Sequence, residues 1–309
     1  MKKTKIAVTS RSFSSNDILR RELLDKYENV TFNDDGLKLE TETLVNFLKG
    51  HEKAITALEI IDDELLSKLP KLKVISKYGV GVDMIDFDAM KRYGKRFGWC
   101  AGVNRRSVSE MVVSTAIAML RHIPAAQREV LAGTWRQHKG GLLSDRIVGI
   151  IGCGNVGKDL VGLLKPFNCK IIAHDIADYT SFYKENNIES VELDSLLSRA
   201  DVITIHVPLD SSTKDMLNAD RLALIKKDSI LINAARGGLV DEKALKVLLS
   251  KGEIAAAAFD VFAQEPPQDR ELLELPNFLV TPHIGGSAKE AILAMGRAAI
   301  KGLDENEIP

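Results

Sequence analysis

Residues 146–164 read RIVGIIGCGNVGKDLVGLL: a short apolar run, three glycines spaced GxGxxG at Gly152, Gly154 and Gly157, and then a helical pattern. With 22 glycines in 309 residues the triplet alone carries little weight. Its position between a strand and a helix is what gives it meaning. Gly152 permits the tight turn, Gly154 lets the backbone approach a pyrophosphate, and Gly157 lets helix and strand close on each other. The amides of Asn155 and Val156 then face an anion at the positive end of the helix. Asp175 ends the next strand, CKIIAHD, where a carboxylate can accept both hydroxyls of an adenosine ribose. The same carboxylate repels a 2′-phosphate, and Ile176 and Ala177 bring no arginine to hold one. The expected cofactor is NAD.

Outward from this turn the chain alternates short β-rich runs with longer helical ones, which implies parallel sheets. One series of strands is expected at residues 147–152, 170–174, 202–206, 229–233, 255–260 and 278–281. An earlier series is expected at 5–9, 30–32, 53–58, 72–76 and 96–100, with helical runs such as 17–27 and 62–69 between them. A long helix joins the two. Ser107 and Glu110 have the spacing of a capping box at its start, and Val108, Met111, Val112, Thr115 and Met119 form its apolar face. Pro124 is expected to break it. Ser287 and Glu290 repeat the capping signature before a final helix, which comes too late for the second series and is expected to return to the first domain.

Composition narrows the class of function. Lys plus Arg total 42 and Asp plus Glu 43, a formal charge of −1, so no basic field draws in nucleic acid or an anionic membrane. The 45% hydrophobic and 28% charged residues fit a folded chain of two domains rather than a disordered one. Cys100, Cys153 and Cys169 lack CxxC spacing and read as reduced thiols, not as a disulfide framework or a metal site. The longest nearly apolar run, MVVSTAIAML, is about half a membrane span. The expectation is a soluble cytoplasmic protein with a small-molecule partner.

Three titratable residues stand on strand-end loops of the second series: Arg236 in NAARGGLVDE, Glu265 in FDVFAQEPP and His283 in TPHIGG. Each alone reads as an ordinary loop residue. Taken with KYGVGVDMID, GCGNVG, ITIHVPL, FDVFAQEPPQDREL and TPHIGGSAKEA, in that order, they make the chain resemble the D-isomer-specific 2-hydroxyacid dehydrogenases over most of its length. The resemblance implies an α/β protein of two Rossmann-like parallel-sheet domains. An NAD-binding domain, residues 103–284, would be inserted into a discontinuous flavodoxin-like substrate-binding domain, residues 1–102 and 285–309. It implies Arg236, Glu265 and His283 as the catalytic set. It also implies cofactor contacts from Val207, Pro208, Ala234, Ala235, Arg236 and Asp260, the last toward the nicotinamide carboxamide, and from the His283, Gly285 and Gly286 turn. Gly79, Val80 and Gly81 would offer backbone amides to the substrate carboxylate. A homodimer through the long helix follows from the same likeness. Longer members carry an appended C-terminal regulatory domain; this chain stops soon after its last helix, so serine feedback through such a domain is not expected.

The chemistry suits these side chains without the family label. Oxidising an alcohol beside a carboxylate needs a base near neutrality, the role of His283. Glu265 would hold the imidazole in one tautomer and favour its protonated form. Arg236 would grip the carboxylate with forked donors and polarise the carbonyl oxygen. Hydride passes to or from the nicotinamide, so no metal is required. The chain departs from the family after Asn104, where Arg105 and Arg106 replace the usual small polar residues. Both arginines oppose the positive end of the following helix. An external anion could offset that repulsion, so Arg105, Arg106 and Lys77 are expected to recognise a second anionic group on the substrate. The competing readings are a glyoxylate or hydroxypyruvate reductase and, from another class, a nucleotide-sensing corepressor of the same fold.

Overall fold

A computed structural model describes residues 2–309. The chain divides into two compact units, Met1–Asn104 with Ala288–Pro309, and Arg105–Ser287. These limits lie two and three residues from the expected domain boundaries.

In the discontinuous unit, β1 (Lys2–Val8), β2 (Tyr27–Phe32), β3 (Lys53–Thr56), β4 (Val74–Lys77) and β5 (Arg96–Gly98) form one parallel sheet in the order β2-β1-β3-β4-β5. The period-2 alternation of each strand divides its side chains between two cores. Ile6, Val8 and Ile55 enter one with Phe13, Leu19, Ala299 and Ile300. Ala7, Ala54 and Ile75 enter the other with Leu48, Leu66 and Met90. The final helix, Lys289–Gly302, supplies Ala299 and Ile300 to the first core, so it does return to this unit. Its start differs from the sequence expectation. Ala288 occupies the N-cap and makes no side-chain cap hydrogen bond, so Ser287 and Glu290 do not take the capping-box positions.

The continuous unit carries β6 (Ile147–Ile151), β7 (Lys170–His174), β8 (Glu189–Ser190), β9 (Val202–Ile205), β10 (Ile230–Asn233), β11 (Ala256–Phe259) and β12 (Phe278–Val280). They form a parallel sheet in the order β12-β11-β10-β9-β6-β7-β8. The order reverses between β6 and β9, the doubly wound arrangement that leaves a crevice at the carboxyl edge of the first strand. β8 was not expected: two exposed edge residues carry no periodic pattern.

The joining helix spans Arg105–Leu120, so it opens two residues before Ser107, which lies inside its first turn. Ser107 is therefore not the N-cap, and its Oγ donates to the Gly285 carbonyl at 2.6 Å. Pro124 does not break this helix either. The chain turns at His122, whose φ is +55°, and Pro124 sits in the first turn of the next helix, Ile123–Leu131, where its missing N–H costs nothing. Among the described residues no helix is long and apolar enough to cross a membrane.

Candidate functional site

The nucleotide turn is built by three glycines with three separate reasons. Gly152 has φ +91°, and a Cβ there would stand 2.7 Å from the carbonyl carbon and oxygen of His206. A Cβ on Gly157 would meet the Gly152 carbonyl oxygen at 2.5 Å. At Gly154 nothing lies within 4 Å of the Cβ position, so open space stands above the start of helix Asn155–Leu164. Gly154 is its N-cap and offers no side chain, while Asn155 and Val156 open the helix with amides that have no intrahelical acceptor. The donors, the dipole and the room for an anion coincide.

Asp175, directly after β7, faces this turn. Its Oδ2 accepts the Cys153 N–H at 2.6 Å and its Oδ1 the Ala177 N–H at 2.9 Å. Each carboxylate oxygen keeps further acceptor capacity for a ribose hydroxyl. Burial, with Asp175 close by, pushes the Cys153 thiol up to about 11, so this cysteine is an inert wall rather than a nucleophile. Val207 and Pro208 follow β9, the strand beside β6, next to His206.

The expected catalytic residues lie on loops after three neighbouring strands: Arg236 after β10, Glu265 after β11 and His283 after β12. Glu265 and His283 meet directly, Nδ1 to Oε2 at 2.9 Å, with the side chains 40% and 46% exposed. The other Glu265 oxygen accepts the Phe262 N–H at 3.1 Å, which fixes the carboxylate. His283 holds a left-handed backbone, φ +55°, that turns its ring to this partner. With Nδ1 engaged, Nε2 is the nitrogen left to exchange a proton with a substrate oxygen. A cavity of about 460 Å³ opens beside the pair, lined also by Phe262, Pro266, Val280 and Thr281.

Arg236 is positioned by a residue the sequence reading passed over. Asn233 is buried, its Nδ2 donating to the Arg236 carbonyl at 2.8 Å and its Oδ1 accepting the Ala235 N–H at 3.1 Å. This side chain shapes the Ala234–Ala235–Arg236 turn, and the Arg236 guanidinium donates to the Ala235 carbonyl at 2.7 Å.

Asp260 has a structural role that the sequence did not show. It is 3% exposed, and its oxygens accept the Thr281 hydroxyl at 2.6 Å, the Ile284 N–H at 2.8 Å and the Gly285 N–H at 2.7 Å. One acceptor position at most is left for a carboxamide. Its work is to hold the loop that carries His283, whose N–H also donates to the Asp260 carbonyl. Ser107 secures the far end of that loop through Gly285, and Gly286 follows.

The expected second-anion residues are already engaged. Arg106 pairs with Asp159 at 2.9 Å and Arg105 approaches the same oxygen at 3.8 Å. Asp159 lies on helix Asn155–Leu164 with its side chain only 10% exposed. The charge that offsets the two arginines is thus internal. Lys77 ends β4, is buried, and donates to the Ala57 carbonyl. Asn104 is the half-buried last residue of its segment. In the discontinuous unit, Gly79 has φ +125°, Val80 accepts the Trp99 indole N–H at 3.0 Å, and Gly81 completes the turn after β4.

Comparison with known proteins places these features in a family. The family model for "D-isomer specific 2-hydroxyacid dehydrogenase, NAD binding domain" matches residues 113–285. A D-3-phosphoglycerate dehydrogenase of Methanocaldococcus jannaschii is 40% identical over 236 residues, 75% of this chain and 45% of that protein. The chain thus spans about half the length of that relative. A hydroxypyruvate reductase of Thermotoga maritima is 34% identical over 294 residues, 86% of this chain and 94% of its own. The crystal structure of a D-lactate dehydrogenase of Aquifex aeolicus, complexed with NAD and lactic acid, matches with TM-score 0.82 at 25% identity, covering 96% of this chain and 93% of that one. The matched domain is an NAD-binding one and the Asp175 acceptors suit a free ribose, so the cofactor is NAD.

Proposed function

The chain belongs to the D-isomer specific 2-hydroxyacid dehydrogenase family, and we propose that it interconverts a D-2-hydroxy acid and its 2-oxo acid with NAD(H). The observation that carries the reading is the Glu265–His283 pair at 2.9 Å, at the carboxyl edge of the sheet that holds the nucleotide turn. Gly152, Gly154, Gly157, Asn155, Val156 and Asp175 hold the dinucleotide, with Val207, Pro208, Ala234, Ala235 and Gly286 along its path. When bound, NAD supplies the hydride acceptor, and NADH the donor, at the nicotinamide. His283 takes the hydroxyl proton at Nε2 in oxidation and returns it to the carbonyl oxygen in reduction. Glu265 holds the opposite ring nitrogen and stabilises the imidazolium that forms. Arg236 binds the carboxylate and polarises the carbonyl oxygen. Arg105–Ser287 is accordingly the NAD-binding domain and the discontinuous unit the substrate-binding domain.

The long motifs are most similar to those of 3-phosphoglycerate dehydrogenase, the name of the Methanocaldococcus relative. The pairing of Arg105 and Arg106 with Asp159 favours a second reading, a reductase of unphosphorylated acids, because it occupies the cations on which a phosphate preference rested. Oxidation of NADH followed with glyoxylate, hydroxypyruvate and phosphohydroxypyruvate tests both. Turnover supports the enzyme, the preferred acid separates the two readings, and NADH binding without any turnover would leave the corepressor-like reading. A homodimer belongs to the same proposal. Helix Ile123–Leu131 buries none of its side chains and leaves Ile123, Val130 and Leu131 exposed. A monomeric mass by light scattering would contradict it.

A further inference from the structure

The turn that carries Arg236 runs directly into helix Glu242–Lys251, so whatever the start of that helix holds is held against the arginine segment. Asp241 fixes this start. Its side chain accepts the N–H groups of Lys243 and Ala244, both at 3.0 Å, and its own N–H donates to the Leu217 carbonyl. Two contacts then join the segment to the loop after β11. A Cβ on Gly237 would overlap the Phe262 carbonyl and the Ala263 nitrogen, so glycine lets the two backbones approach. Beside this crossing, Glu242 Oε1 accepts the Ala263 N–H at 2.8 Å.

Phe262 is buried and anchors the loop, its ring packing against Phe259 and Phe278 at 6.0 and 6.2 Å between centroids. Ala263, Gln264 and Glu265 are exposed, so the core does not place them. Hydrogen bonds do. The Phe262 N–H goes to Glu265 Oε1 and the Ala263 N–H to Glu242, so successive amides are taken by different carboxylates. Successive backbone N–H groups readily share one anion. An unclaimed Ala263 N–H would therefore compete with His283 for the Glu265 carboxylate.

Glu242 stands in an unfavourable place for a charge. Burial raises its carboxyl above the ordinary range, and Asp269, Asp215 and Asp241 add to the rise against the opposing Ala263 hydrogen bond. Lys246, one turn on, is taken by Asp269 at 2.8 Å and Glu271 at 2.9 Å. A half-buried carboxylate set among carboxylates contributes little to stability, which leaves the Ala263 amide as its task.

We propose that Glu242 is a positioning residue: by occupying the Ala263 N–H it clips the loop to the Arg236 segment and leaves Glu265 Oε2 to His283. The proposal rests on the dehydrogenase reading and adds a residue to its machinery.

Glu242→Gln keeps an oxygen for the Ala263 N–H and Glu242→Ala does not. Both replacements are good helix formers, so both variants should fold, as circular dichroism would check. In kcat/KM for NADH-dependent reduction of the 2-oxo acid turned over best, the Ala variant should lose about fivefold and the Gln variant less than about twofold. In a Glu265→Gln background, Glu242→Ala should cost less than about twofold more, because nothing is left for it to position. The pH above which reduction falls away should move lower in Glu242→Ala, since the imidazolium is held less firmly. Hydrogen exchange of residues 261–265 in cofactor-free protein should quicken in the Ala variant and not in the Gln variant, a reading that needs no turnover. Wild-type exchange, or wild-type kcat/KM and pH dependence, in Glu242→Ala overturns the proposal. So does a full fivefold loss in the Glu265→Gln background, or a Gln variant as impaired as the Ala variant. No turnover of any 2-oxo acid by a wild-type protein that binds NADH overturns the dehydrogenase reading itself.

Discussion

Replacing Asp175 separates two jobs that one carboxylate performs. Its charge opposes a 2′-phosphate, and its Oδ2 accepts the N–H of Cys153, a residue with no exposed surface. Unit charges about 4 Å apart interact by about 1 kcal/mol in water and about 4 kcal/mol at an effective dielectric of about 20. Asp175 is half-buried at a strand end, so a dianionic phosphate should meet at least about 2 kcal/mol of repulsion, roughly a thirtyfold preference for NADH over NADPH in kcat/KM. Asp175→Asn removes the charge but keeps an amide oxygen for the Cys153 N–H. The preference should collapse to within about threefold, with the melting temperature nearly unchanged. Asp175→Ala should narrow the preference equally and also leave a buried N–H without its acceptor, at a cost of about 1–3 kcal/mol. For a unit of this size that lowers the Tm by about 2–4 °C for each kcal/mol. The assay is kcat/KM for each cofactor with one saturating 2-oxo acid, paired with a thermal melt. A wild-type protein that uses both cofactors equally well, or an Ala variant that keeps the wild-type preference, would refute the assignment of Asp175 to the ribose.

His283→Ala and Arg236→Ala should each lower kcat/KM by about 100-fold or more, measured on protein shown to be folded. Glu265→Gln keeps a hydrogen-bonding partner for His283 Nδ1 but loses its charge, and should lower kcat/KM by about tenfold. The loss must be equal for oxidation and reduction at one pH, because the equilibrium constant belongs to the reactants; a loss under about twofold would argue against the pair. Arg106→Ala should leave the ratio of kcat/KM for phosphohydroxypyruvate and hydroxypyruvate within about twofold, since Arg106 is committed to Asp159; a tenfold fall would show that it binds phosphate after all. Desolvation lowers the His206 imidazole to about 3, below its usual 6.5, while its Nε2 lies 2.9 Å from Thr204 Oγ1. The folded protein then binds fewer protons than the unfolded chain between those values, so stability is lost as pH falls below about 6.5, by at most about 1.4 kcal/mol per pH unit. His206→Asn should flatten the decline in Tm between about pH 6.5 and 5, and an unchanged slope would show that other groups cause it.

What was legible in the sequence was whatever short-range chemistry decides. The three glycines of residues 152–157 act on their own turn and on the strand and helix that flank it, so their spacing, read together with that strand and helix, pointed to the nucleotide turn. The βα alternation and the parallel sheets followed from periodicity, and the family motifs put Arg236, Glu265 and His283 on strand-end loops. The tertiary structure alone decided which groups meet. Arg106 and Asp159 are 53 residues apart, and Ser107 reaches Gly285 across 178. No local pattern encodes an ion pair or a hydrogen bond over such a separation. For that reason Ser107 read as a cap when it is a strut, the brace that Asp260 gives the histidine loop went unread, and two arginines read as waiting for a ligand. The order of the strands has the same origin, because loops far apart in the chain become neighbours only when the sheet assembles.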